Sequence, residues 1–496
     1  MTTEQVVFPI HTRWRALRVW GYLALLAMAA LQTATAPAAE PEPSTAMVRQ
    51  ASHFWQTVAA KPDQRQTLLR QHFSPALRER KGEADLLETF ASLAEVLGGE
   101  LSTAVPVVAR EDGAEGELHY SLPDGRRVAL MLTLSDSDPP RIDRFGVRPL
   151  PPEVSAVPRT QLSATIAARV QAEADAGRFA GVVLVAQGDT LIHAQAIGLA
   201  DRRSARAITL DTPINLGSIN KMFTAIAIAQ LQAAGKLDWQ DTVGRHLPEL
   251  PNAAIRERVT IHQLLTHTSG VGSYWNEAYA ARKDQLRTHQ DFLETFIDEP
   301  LRFEPGKGLE YSNGGPVILG LIIEAVSGLD YDSYLRTHVY GPAGMTHTDH
   351  YRRDDASAGY ARGYMKGADG HWQDNESDLG LRGSAAGGGY ASANDLLAFS
   401  RALSAERLLP RAQLETLWTA HTQPGPIGYG YLFSVGNTAG HRWVGHDGGA
   451  PGISAEFLHY PDDGLAIIVL ANQDNAAAAM REWLHALVEA SLFRAP

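Results

Sequence analysis

Ser218 and Lys221 stand one helical turn apart in Asn215-Leu216-Gly217-Ser218-Ile219-Asn220-Lys221-Met222-Phe223, and such a pair can do nucleophilic chemistry. From Ser218 onward, Met222, Ile226, Ala229 and Leu231 form an apolar helical face, and Gly235 supplies a stop. Residues i and i+3 share a face, so the amine can reach the hydroxyl. A helix N-terminus favours negative charge on the serine oxygen. A desolvated lysine sheds its proton more readily and can then take one from the serine. The bland alternative is a helix cap followed by a solvated lysine. Ser-x-x-Lys should arise by chance roughly once in a chain this long. It occurs once here, so the pair alone decides nothing.

Two further elements could complete a site. In Tyr311-Ser312-Asn313 a tyrosine can relay a proton to a leaving group, and an asparagine can hold a substrate amide and the lysine. Gly314-Gly315 and an apolar helix from Val317 to Val326 follow, which puts Tyr311 on an exposed loop before a helix. Tyr274-Trp275-Asn276 has the same Tyr-x-Asn form, but Tyr311 has the better setting. The third element is His446-Asp447-Gly448-Gly449, at the end of a strand-like run. Small residues there let substrate lie along a strand edge. The Gly449 N–H, with that of Ser218, could form an oxyanion hole. His446 could stabilise developing negative charge or hydrogen-bond substrate.

The order Ser-x-x-Lys, Tyr-x-Asn, His-x-Gly resembles the serine β-lactamase-related family of class C β-lactamases, DD-carboxypeptidases and family VIII esterases. The segments TIHQLLTHTSG (260–270), FEPGKGLEYSN (303–313) and GGGYASANDLLAF (387–399) resemble it too, and the likeness covers about residues 160–492. Carried over, it implies Ser218 as the acylated serine, Lys221 as its proton acceptor and Tyr311 as the relay. It implies Asn313 as a substrate ligand and Gly449 as an oxyanion donor. The family's lactamases carry Lys-Thr-Gly at the third motif, and this chain has none. His446 in that place ranks an esterase or D-amino-acid peptidase above a β-lactamase. His262 and His267 read as structural residues of the loop that ends at Gly270.

The elements that must position these residues fall into two blocks. Residues 47–147 open with helical patterns (Val48, Ala51, Trp55, Val58; then Leu86, Phe90, Leu93, Leu97) and continue as strand-like runs over 119–122, 128–134 and 142–147. That is a small α+β domain, similar in pattern to the nuclear-transport-factor and cystatin-like group. A proline-rich linker, 148–159, separates it from residues 160–496. This second block opens with a helix (162–176) and a hairpin turning at Gly188-Asp189. Its middle is helical, and it returns to strands over 429–435, 441–446, 453–460 and 465–471 before a closing helix at about 475–492. The expected fold is α/β in the broad sense and α+β in kind: an antiparallel sheet flanked by helices, with a helical subdomain inserted. The resemblance implies a β-lactamase/transpeptidase-like arrangement.

Arg13, Arg15 and Arg18 precede an apolar run, 19–31, and small residues around Ala36 and Ala38. These read as an export signal over 1–38, with a short tether to 46, and place the protein in the periplasm or outside the cell. A net charge of −12 argues against nucleic-acid or polybasic membrane partners. With no cysteine in the chain, disulfides and thiolate chemistry are excluded. No His, Asp and Glu spacing suggests a metal, and no cofactor is expected. The chain has only seven lysines, so a lysine at a site is a choice over arginine, which cannot shed its proton. The function expected is hydrolysis of an ester or amide through an acyl-enzyme. The competing reading is a non-catalytic, penicillin-binding-like protein that holds cell-wall fragments or a protein partner. The first domain is assigned an accessory role.

Overall fold

Consecutive apolar residues in the strands of the second block go to two different cores. Val182, Leu184 and Ala186 join one, and Val183 and Val185 join the other. A sheet covered on both faces needs unbroken apolar strands, which is why 181–186 and 465–471 carry no polar alternation. The computed structural model describes residues 45–97, 106–122, 127–150, 154–355, 359–367, 370–422, 427–474 and 476–493. The expected export signal and nearly all of the tether lie outside those residues. The chain divides into two units, Met1–Glu153 and Val154–Pro496.

In the first unit, helices α1 (Thr45–Ala59), α2 (Pro62–His72), α3 (Pro75–Lys81) and α4 (Glu83–Leu97) precede an antiparallel meander. Its strands are β1 (Val107–Asp112), β2 (Glu115–Ser121), β3 (Arg127–Leu134) and β4 (Ile142–Leu150), paired in that order. Phe54, Trp55, Phe73 and Phe90 fill its core. The α2 and α3 helices lack the apolar stripe that marks α1 and α4. They begin instead on proline, and Ser74 Oγ caps α3 by accepting from the Leu77 N–H. Strand β1 also escapes a pattern search, because it is an edge strand with a mostly exposed, charged face.

In the second unit, α5 (Arg159–Asp175) leads into the hairpin of β5 (Gly181–Gln187) and β6 (Thr190–Ile197). After the helical middle come β7 (Gly428–Tyr429), β8 (Ser434–Thr438), β9 (His441–Ala450), β10 (Ile453–Tyr460) and β11 (Leu465–Ala471). All seven strands form one antiparallel sheet in the order β7-β8-β9-β10-β11-β5-β6. Helix α5 and the closing helix Ala476–Val488 cover one face, through Leu162, Ile166, Met480 and Leu484. The other face packs on the helical middle, including Lys221–Ala233, Gly314–Ser327 and Ala393–Ser404. Helix Lys221–Ala233 is buried on nearly every side, as a central helix must be. Two details differ from the sequence expectation. The run 429–435 is two strands, because Leu432 turns the chain at φ +55. Strand β9 continues past His446 to Ala450, held by pairing with β10. Among the described residues no single helix is long and apolar enough to cross a membrane.

Candidate active site

The turn that carries Ser218 is a tight one. Gly217–Asn220 form a single 3-10 turn directly ahead of helix Lys221–Ala233, and Gly217 takes φ +50, which glycine adopts without a steric penalty. A Cβ on Gly217 would lie 2.6 Å from the Gly449 nitrogen. A Cβ on Gly448 would lie 1.9 Å from the Leu216 carbonyl oxygen and 3.1 Å from the Ser218 nitrogen. These glycines let β9 run against the backbone of the Ser218 turn. Strand β8 stops opposite Gly445, so residues 446–450 pair with β10 on one side and with no strand on the other. Gly449 is exposed at that open edge.

Lys221 is fully buried, and its Nζ has three partners: Ser218 Oγ at 3.0 Å, Asn313 Oδ1 at 2.8 Å and the Ala386 carbonyl oxygen at 2.5 Å. Carbonyl oxygens only accept, so a neutral amine spends its two N–H groups on Asn313 and Ala386 and turns its lone pair to Ser218. Burial drives the Lys221 amine down to about 7, and the Asp447 carboxylate pulls the other way. Asn313 sits at the start of helix Gly314–Ser327, and its Nδ2 donates to Ser273 Oγ at 3.3 Å. The loop that brings Ala386 in is tied to the Ser218 turn and the helix after it. Asn220 Nδ2 donates to the Ser384 carbonyl at 3.2 Å and Thr224 Oγ1 to that of Ala385 at 2.8 Å.

The Tyr311 phenol lies close enough to Ser218 to feel it, and Lys221 Nζ lies 4.8 Å from its ring centroid. The residue keeps 41% of its surface open, while desolvation of its phenol pushes the hydroxyl well above its usual value. The competing Tyr274 and Asn276 serve the fold. Tyr274 is buried in the core, and Asn276 caps the helix Glu277–Arg282 by accepting from the Tyr279 N–H. The structure therefore brings Ser218, Lys221, Tyr311 and Asn313 together, with Gly448 and Gly449 alongside.

His446 is placed differently from the expectation that it binds substrate. It is buried, its Nε2 lies 3.0 Å from the Tyr429 hydroxyl, and its Nδ1 lies 2.5 Å from the Asp447 carbonyl oxygen. Both ring nitrogens are taken within the protein, so neither is left to meet a substrate. Burial and the nearby Lys221 lower its basicity, and Asp447 opposes them. Sequence reasoning missed Ala386 and Tyr429, and it set His267 aside. His267 packs 4.5 Å, centroid to centroid, from the Tyr311 ring. Its left-handed backbone, φ +59, had no sequence signal beyond its place in 260–270. Among the described residues no three His, Asp or Glu side chains gather to hold a metal.

Comparison with known proteins gives a consistent set. A family model described as Beta-lactamase matches residues 164–491. The chain is 30% identical over 317 residues to Penicillin-binding protein 4* of Bacillus subtilis (strain 168), across 60% of this chain and 69% of that protein. It is 35% identical over 201 residues to Esterase EstB of Burkholderia gladioli, across 37% of this chain and 51% of the esterase. Among solved structures, a penicillin binding protein from Bacillus halodurans matches with a TM-score of 0.60 at 31% identity, across 64% of this chain and 98% of that one.

Proposed function

The chain belongs to the Beta-lactamase family, and from that premise we propose that it hydrolyses an ester or amide through an acyl-enzyme on Ser218. The observation that carries this is the buried Lys221 amine, 3.0 Å from Ser218 Oγ with its other two partners able only to accept. Ser218 Oγ attacks the substrate carbonyl carbon, and its proton passes to the lone pair of Lys221. The oxyanion of the tetrahedral adduct is met by the N–H groups of Ser218 and Gly449. The bond to the leaving group breaks as Tyr311 protonates the departing oxygen or nitrogen and recovers a proton from Lys221. Water then attacks the Ser218 ester and yields a proton to Lys221, which returns it to Ser218 Oγ as that oxygen leaves, releasing the carboxylic acid and regenerating the serine hydroxyl. Asn313 positions Lys221 and the substrate amide.

Esters and D-amino-acid peptides rank ahead of β-lactams as substrates. The third motif supplies a buried histidine with both nitrogens engaged rather than a lysine cation, and the 35% identity to an esterase supports the same order. The export signal read in residues 1–38 would place this chemistry in the periplasm or outside the cell. Intact-mass analysis after exposure to a penicillin, a D-Ala-D-Ala peptide and a short-chain ester tests the reading. An adduct on the wild type, absent from Ser218→Ala, is the expected result. Equal turnover by Ser218→Ala would end it, and binding without turnover across the whole panel would favour a non-catalytic role.

A further inference from the structure

Two side chains outside the three motifs join the second motif to the third. The Ser312 backbone N–H, between Tyr311 and Asn313, donates to His267 Nδ1 at 3.2 Å. A backbone N–H only donates, so Nδ1 of His267 carries no proton and its Nε2 does. His267 Nε2 lies 3.0 Å from the Tyr429 hydroxyl oxygen, which must accept there. The Tyr429 hydroxyl then has its own proton to give, and His446 Nε2 lies 3.0 Å away to receive it. That leaves the ring proton of His446 on Nδ1, aimed at the Asp447 carbonyl oxygen at 2.5 Å, which only accepts. Every donor in the chain meets an acceptor, and its two backbone ends fix every direction in between.

We propose that His267 and Tyr429 are positioning residues that lock His446 in its Nδ1–H tautomer and thereby hold the Gly448–Gly449 strand edge against Ser218. The Asp447 carbonyl and the Gly448 N–H belong to one peptide plane, so the His446 bond fixes that plane. The next peptide carries the Gly449 N–H. This stretch needs fixing from outside: it has two successive glycines and no strand on its open side. His267 holds a left-handed backbone and is almost fully buried, as a residue whose ring direction matters more than its backbone comfort would be. The inference rests on the acyl-transfer reading, in which Gly449 is an oxyanion donor.

Tyr429→Phe keeps the ring packed between His267 and His446, at 4.9 and 5.9 Å between centroids, and deletes only the hydroxyl. An oxyanion donor acts in the transition state, so kcat on a p-nitrophenyl ester should fall by about 10- to 100-fold while KM stays within about threefold. His267→Gln keeps an acceptor for Ser312 and a donor for Tyr429 and should retain kcat within about fivefold, whereas His267→Leu should match Tyr429→Phe. Unchanged kcat in Tyr429→Phe, or equal kcat in His267→Gln and His267→Leu, overturns the proposal. Should Tyr429→Phe fail to fold, the Gln and Leu pair decides. Ser218→Ala run alongside separates the two claims: if it turns over the ester like wild type, the acyl-transfer reading itself has failed. If it is dead while Tyr429→Phe is fully active, only the positioning role falls.

Discussion

A methyl group on Gly448 would lie 1.9 Å from the carbonyl oxygen of Leu216, two residues before the proposed nucleophile. Contact that close cannot be relieved by a rotamer change, because the Cβ is fixed by the backbone it is attached to and the oxygen belongs to backbone. Gly448→Ala should push β9 away from the Ser218 turn and lower kcat/KM on an ester by at least about 100-fold, the scale of a lost oxyanion donor. Gly449→Ala is the control. A Cβ there meets nothing within 4 Å, so its melting temperature should match the wild type. Ester kinetics and thermal melts on the two variants check the contrast, and a fully active Gly448→Ala would contradict the placement of the strand.

Lys221 sets the expected pH dependence. In the proposed mechanism the neutral amine is the base, and with the amine brought down to about 7 its share grows as pH rises through that value. Acylation should therefore climb about tenfold per pH unit below 7 and level off above it. Lys221→Arg keeps a charge that cannot be shed and should lose about 10²- to 10⁴-fold, with no recovery at pH 9. The folded chain also binds fewer protons at this site than the unfolded chain between about 7 and the ordinary 10.5. The Lys221 contribution to stability should thus rise with pH across that window. Stopped-flow acylation and melts from pH 5 to 9 read both effects; a flat acylation profile would remove Lys221 as the base.

Tyr311→Phe should discriminate between leaving groups. A p-nitrophenolate departs without help, while an alkoxide or amide nitrogen must be protonated as it leaves. The variant should lose about tenfold more on an alkyl ester or an amide than on the p-nitrophenyl ester of the same acyl group. Its interaction with Ser218 is lost for every substrate, so a uniform decrease would mean that this interaction, and no relay, is what Tyr311 supplies.

Local pattern made much of this site legible, and long-range contact made the rest invisible. The helical face after Ser218 and the hairpin at Gly188 can be read from residue order, because their periods and turn chemistry are local. The family resemblance of residues 160–492 is borne out by the Beta-lactamase match to 164–491. Ala386 could not be found, since it acts through a backbone carbonyl that any residue carries. Tyr429 meets His446 and His267 across 17 and 162 positions, and no periodicity reports such distances. His446 is legible as part of the motif, but its partner is a tyrosine from a two-residue strand, which no local pattern marks.

The first unit should be separable from the chemistry. Its core of Phe54, Trp55, Phe73 and Phe90 is made from its own helices and strands, and the second unit has its own cores on both faces of its sheet. Each residue placed at the site, from Gly217 to Gly449, comes from the second unit. A chain of residues 154–496 should therefore fold and hydrolyse the short-chain ester with kcat/KM within about threefold of the full protein. Its accessory role should show elsewhere, in oligomeric state or in activity toward a larger substrate. Ester kinetics, light scattering and peptide turnover on the truncated and full chains measure each. A loss above about tenfold on the small ester would place part of the first unit in the catalytic cycle.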